Sequence, residues 1–135
     1  MKYIIEIPSL PPVECSKNWR GHWAPKARAV QVARAKAFYF TLEKHGEELS
    51  SPGWKPISHD DIIGIHYIWH VQAKRRRDRD NFIGRSAPFL DGLKPSTGTE
   101  IGCGLIVDDE DIPISGEFVV DGTSATTIIV EVRNA

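Results

Sequence analysis

Ile62–Val71 constrains the fold of this chain more than any other stretch. Ile62-Ile63-Gly64-Ile65-His66-Tyr67-Ile68-Trp69-His70-Val71 is rich in β-branched and aromatic residues and has no proline. It reads as a central strand, around which the other elements must be placed. The strand runs directly into a dense basic cluster, Lys74-Arg75-Arg76-Arg77-Asp78-Arg79.

Residues 2–8 read as another strand, stopped by Pro8 and the Pro11-Pro12 pair. Pro25 suits the first turn of a helix and Gly46 suits its end. Between them Val30, Ala33, Ala37 and Phe40 recur at helical spacing, so this helix is amphipathic. Ser50-Ser51-Pro52-Gly53 and Lys55-Pro56 mark a loop. A second helix is expected over Asn81–Leu93, anchored by Phe82, Phe89, Leu90 and Leu93, with Gly84 and Pro88 marking a kink or late start. Lys94–Gly104 is loop-like, and Leu105-Ile106-Val107 is expected to be a short strand. Glu117–Val120 and Thr126–Val132 are expected to form a hairpin around Asp121-Gly122. The order is about β-α-β-α-β-β(-β). That is an α+β fold with two main helices on a mixed or antiparallel sheet. Its 135 residues fit one domain over 1–135.

Composition narrows the function classes. No apolar run approaches the roughly 20 residues of a membrane span, and the alternating start has no signal-peptide core. Cys15 and Cys103 are isolated, which points to plain thiols in a reducing cytoplasm. The formal net charge is -1, but the charges are segregated. Bases gather in Lys74–Arg79 and at Lys26, Arg28, Arg34 and Lys36, while acids gather in Asp108-Asp109-Glu110-Asp111. A locally positive surface can bind phosphates whatever the total.

The main chemical signal is Asp78-Arg79-Asp80-Asn81, where a strand gives way to a helix. Carboxylates two apart on extended backbone share a face and can reach one ion. A hard cation such as Mg²⁺ prefers oxygen ligands. Phosphodiester hydrolysis needs the activated water and charge neutralisation that such an ion supplies. The competing reading is a solvated, self-paired turn. Asp108-Asp109 is likewise either an ordinary acidic turn or the source of a third carboxylate. Trp19, His22 and Trp23 either stack on bases or pack, with Trp23 covering the first helix and Trp19 partly exposed. His66 and His70 share a strand face and read as ordinary strand residues. Gly92–Gly98 lacks Walker spacing.

Arg76-Arg77-Asp78-Arg79-Asp80-Asn81, Phe89-Leu90-Asp91-Gly92-Leu93, then Val107-Asp108-Asp109 and Ile112 resemble, in order and approximate spacing, the RusA-like Holliday junction resolvases. Leu10-Pro11-Pro12, Asn18 and Arg20–Arg28 resemble phage-type members, and the similarity covers about residues 3 to 132. The resemblance implies a Mg²⁺- or Mn²⁺-dependent endodeoxyribonuclease that cuts four-way DNA junctions as a homodimer, in the cytoplasm of a bacterial host and encoded by it or by a phage or prophage. It implies metal-binding carboxylates at Asp78, Asp80 and Asp109. Asp108 and Asp91 are supporting acids, although Asp91 reads slightly better as closing the second helix. Arg75, Arg76, Arg77 and Arg79 would seat the DNA backbone, extended by Lys74, Lys26 and Arg28.

One departure stands out. Family members carry a lysine four or seven positions after the second aspartate, where this chain has Gly84 and Ala87. A lysine there would hold the scissile phosphate or stabilise transition-state charge. Here Arg85 substitutes as that catalytic cation through a distorted helix start, another basic residue such as Lys74 reaches in, or activity falls. The missing lysine leaves as an alternative a catalytically weak or inactive DNA-junction binding protein on the same scaffold, and the rings near Trp19 leave a nonspecific RNA or single-strand binding module.

Overall fold

The computed structural model describes residues 1–133. Its elements are β1 (Lys2–Ile7), α1 (Trp23–Leu49), β2 (Ile62–Val71), α2 (Arg79–Arg85), α3 (Ala87–Asp91), β3 (Ile114–Val120) and β4 (Ala125–Val132). The strands form a mixed sheet in the order β1-β4-β2-β3. β4 runs antiparallel to both β1 and β2, and β2 pairs in parallel with β3. The α+β class and the central place of β2 are as expected.

Alternation decides which face is covered. Tyr3, Ile5 and Ile7 of β1, Ile65, Tyr67, Trp69 and Val71 of β2, and Thr126, Ile128 and Val130 of β4 are buried on one side. α1 turns Ala33, Ala37 and Thr41 inward at four-residue spacing. The small Ala37 lets the end of α3 approach closely. A Cβ at Gly92 would collide with the Arg34 carbonyl and with Ala37, so a side chain there has no room.

Four expectations about elements are corrected. α1 begins at Trp23, where the His22 ring accepts the Ala24 N–H at 3.1 Å, and it passes through Gly46 to Leu49. Its last turns are held by tertiary contacts: Tyr3 donates to Glu48 at 2.7 Å and His45 lies 3.1 Å from the Ile4 carbonyl. Those contacts outweigh the weak helix propensity of glycine.

The kink expected in the second helix between Gly84 and Pro88 is a full break, which leaves two helices. Pro88 cannot donate to the Gly84 carbonyl, and its ring crowds that turn. The chain breaks at Ser86, a fully buried residue that receives the Trp69 indole N–H at 3.1 Å and donates to the Phe82 carbonyl at 2.8 Å.

Leu105-Ile106-Val107 is not a strand of the sheet. Leu105 and Ile106 are buried and make only a single parallel bridge, Ile57 to Ile106, with further N–H bonds to the Leu93 carbonyl. The apolar run reports burial rather than strand pairing.

Glu117–Val120 and Thr126–Val132 are antiparallel strands but not a hairpin, because β2 lies between β3 and β4. The turn at Asp121-Gly122 bridges over the end of β2, where both N–H groups donate to the Val71 carbonyl at 3.1 and 3.3 Å.

Candidate functional site

β2 ends at Val71 and delivers the basic run to the rim of the sheet. Arg77 folds back, donating to the carbonyls of Ala73 and Arg75 at 2.9 and 3.3 Å, and lies 6.0 Å from the Phe118 ring centroid. This clasp shapes the turn that presents Asp78. Asp78 is the N-cap of α2, its carboxylate accepting the Asn81 N–H at 3.2 Å. Asp80 sits exposed in the first helical turn. Only Asp78 is extended, so the two carboxylates do not share the face of an extended segment. Asn81 in turn accepts the Ser16 hydroxyl at 2.7 Å, which fastens the loop after β1 to the motif.

Of the expected solvated, self-paired turn, the solvated part is observed, with Lys74, Arg75, Arg76, Asp78, Arg79 and Asp80 all exposed, and the self-pairing is not. Among the described residues, Lys74, Arg75, Arg76, Arg77 and Arg79 make no ion pair with any acid, although Asp78 and Asp80 are their chain neighbours. Arg77 and Arg79 also line a shallow cleft of about 350 Å³ against Gly116, Glu117 and Phe118 of β3.

A second group of charges forms where α3 ends. The Lys94 ammonium lies between two carboxylates, 3.0 Å from Asp91 Oδ1 and 2.8 Å from Asp109 Oδ1. Burial pushes the lysine pKa down, but the bonds to Asp109 and Asp91 outweigh it and the net shift is upward. Beneath the pair, burial raises the Tyr67 phenol well above its ordinary value, with the negative charges of Asp109 and Asp91 adding to the effect. Asp108 turns elsewhere. It lies 3.5 Å from His59 Nδ1 and accepts the Glu110 N–H at 3.1 Å. The tight turn at Glu110-Asp111 that follows them and leads back to β3 carries Asp111 at φ 59°, a left-handed conformation that aspartate tolerates.

Among the described residues, no three His, Cys, Asp or Glu side chains are grouped to hold a metal ion. Asp78, Asp80 and Asp109 therefore do not stand as a ready-made cage. No known family model and no curated protein matches the chain.

Arg85 is engaged structurally rather than poised over a phosphate. It donates to the carbonyls of Pro11 at 2.5 Å and Pro12 at 3.4 Å and stacks 4.2 Å over the Phe82 ring. Burial lowers its pKa. The catalytic role expected for it therefore loses its geometric support. Asp91 does end a helix before Gly92, but its side chain joins Asp109 through Lys94. Lys94 is the residue that reading by motif missed. Its i,i+3 spacing from Asp91 was the available signal, obscured because the segment reads as a loop.

The remaining candidates separate. Trp23 does not cover α1: it is 73% exposed, and Trp19 is the more sheltered of the two rings. Lys26 is half-buried, and Lys74 and Arg28 are exposed. His66 lies 2.6 Å from Ser115 Oγ, and His70 lies 2.7 Å from Asp121 Oδ2 and 2.9 Å from Thr127 Oγ1. Their partners differ, in keeping with ordinary strand residues. Cys15 and Cys103 are free thiols. No described helix is long and apolar enough to cross a membrane.

Proposed function

We propose that this chain is a divalent-metal-dependent endonuclease of the RusA-like kind, acting on four-way or otherwise branched DNA. The observation that carries this reading is a run of unpaired bases, Lys74–Arg79, interleaved with exposed carboxylates that it does not neutralise. Adjacent opposite charges that decline one another are arranged for a ligand that needs both. A phosphodiester is such a ligand, taking the guanidinium groups directly and the carboxylates through a cation.

The donor set suits Mg²⁺ or Mn²⁺, being carboxylate oxygen throughout. Lys94 now occupies the space between Asp91 and Asp109, so an ion bound there would displace its ammonium. Asp78, Asp80 and Asp109 would hold the ion once drawn together, since they are not grouped among the described residues, and Asp91 shares only the Lys94 bridge with Asp109. Asp108, turned to His59, contributes less. When bound, the ion supplies an acidified water and offsets charge building on the phosphate. Arg75, Arg76 and Arg79 seat the backbone, Arg77 holds the turn, and Asn81 keeps the motif against Ser16. Paired cuts across a junction call for two copies, so the acting species in this reading is a homodimer.

A labelled synthetic four-way junction, incubated with and without Mg²⁺ or Mn²⁺, tests the proposal. Metal-dependent paired cuts are expected from the wild type. Asp80→Asn should abolish them while leaving junction binding nearly intact, because the basic rim is unchanged. A folded Asp80→Asn protein that cuts normally would falsify the assignment. Lys94 standing between two of the acids also favours a second reading, a junction binder that does not cut. The same assay reports it as binding without cleavage.

A further inference from the structure

At the start of α1 lies a feature that the nuclease reading leaves unused. Trp23 is the first residue of the helix and is 73% exposed, the most exposed large apolar side chain of the described residues. Two rings close to it in the chain are held in place. The His22 ring is fixed by accepting the Ala24 N–H at 3.1 Å and lies 5.6 Å from the Trp23 centroid at an interplanar angle of 30°. Trp19 is fixed from the other side. Its indole N–H donates to the His22 carbonyl at 3.2 Å, and its ring lies across Gly21, where a Cβ would collide with it. The elbow Trp19–Trp23 therefore presents Trp23 together with two rings held by hydrogen bonds, which lowers the ordering cost of binding.

The charge around it is one-sided. Between Glu14 and Glu43 the chain carries six lysines and arginines and no aspartate or glutamate. Arg34 pairs with Glu100 at 2.6 Å and Lys36 donates to Ser9 at 3.1 Å. Lys17, Arg20, Lys26 and Arg28 make no ion pair among the described residues. An open aromatic face flanked by unpaired bases complements a polyanion that also offers flat rings. Nucleic acid with unpaired bases has both properties, whereas an acidic peptide supplies charge without a regular supply of rings.

The elbow is also continuous with the candidate site. Ser16 bonds Asn81 at 2.7 Å, and Arg85 ties α2 to Pro11 and Pro12. We propose that the Trp19–Trp23 elbow is a base-stacking platform that takes an unpaired nucleotide of the strand lying on the Lys74–Arg79 rim. This inference rests on the branched-DNA reading for its ligand, but not on metal binding or on cleavage.

Fluorescence titrations with oligo-dT, a duplex of the same length and a four-way junction test it, using wild type, Trp23→Ala and Trp23→Phe. Trp23→Ala should weaken oligo-dT and junction binding by about 5- to 150-fold, the range for one stacked base, and hardly affect the duplex. Trp23→Phe should keep most of the affinity. Oligo-dT should quench wild-type emission and lose much of that quenching in Trp23→Ala. The same Trp23 dependence with oligo-U supports the platform and extends it to RNA. A folded Trp23→Ala protein that binds oligo-dT as wild type does, or that loses duplex affinity equally, overturns it. Junction cleavage on the same samples separates the two readings. Trp23-dependent binding without cutting keeps the platform and removes the nuclease, and cutting with Trp23-independent binding does the reverse.

Discussion

Lys94 shows at the scale of one residue how a site differs from its motif. Asp78, Asp80 and Asp109 are legible because acids next to a basic run or after a strand are conspicuous in a sequence. The cation between Asp91 and Asp109 is not legible, because it depends on how Lys94–Gly104 folds back after α3. Replacing Lys94 with methionine keeps the stem and removes the charge, leaving two carboxylates facing one another. The expected loss is about 1–2 kcal/mol, below that for a fully buried pair because the lysine side chain keeps 26% of its exposure. The lysine pKa is raised in the folded protein, so its stabilisation is complete below the unfolded value near 10.5 and fades as pH climbs through the higher folded value. Urea unfolding in EDTA should thus show a constant gap between wild type and Lys94→Met around neutral pH, narrowing above pH 10.5. If the acids take a divalent ion, Mn²⁺ should stabilise Lys94→Met more than wild type. Equal curves in EDTA would mean that the bridge adds nothing.

Elements were legible where local pattern and tertiary demand agree. β1, β2 and the body of α1 follow from alternation and helical spacing, although in α1 the buried face is Ala33, Ala37 and Thr41 while Val30 and Phe40 stay half-buried. Pattern fails on adjacency. The alternating strands around Asp121-Gly122 look like a hairpin, yet strand order depends on what lies between them, and β2 lies there. Gly116 records that arrangement. It pairs with Tyr67 in the parallel register of β2 and β3, and a Cβ there would be built into the indole ring of Trp69. Trp69 cannot retreat, being fully buried between Tyr67, Phe82 and Phe118 with ring centroids 5.6, 5.4 and 5.0 Å away. Gly116→Ala should therefore cost about 1–3 kcal/mol by overpacking. Gly98→Ala, with nothing near its added carbon, serves as the control and should stay within about 0.5 kcal/mol. Denaturant midpoints compare the two. Equal midpoints would mean that β3 does not sit against Trp69 as described.

For the whole molecule, a formal net charge of -1 conceals two basic surfaces, the Lys74–Arg79 rim and the face around Arg20, Lys26 and Arg28. Neither surface is neutralised by ion pairs among the described residues, so both remain available to phosphates. Each phosphate contact releases condensed counterions, and the logarithm of affinity then falls linearly with the logarithm of salt. Junction binding should therefore weaken steeply between low and physiological salt despite the acidic total. Removing one rim arginine, for example by Arg76→Ala, should reduce the slope by about 1 per site engaged. In a two-fold dimer each substitution is present twice, and the slope should change by about 2 on a symmetric junction but by about 1 on a single duplex arm. Titrations across a salt series, with light scattering to count copies in the complex, read both quantities. Salt-independent binding would remove the phosphate-seating role of the rim. A complex with one copy per junction that still makes paired cuts would remove the dimer while leaving the rim in place.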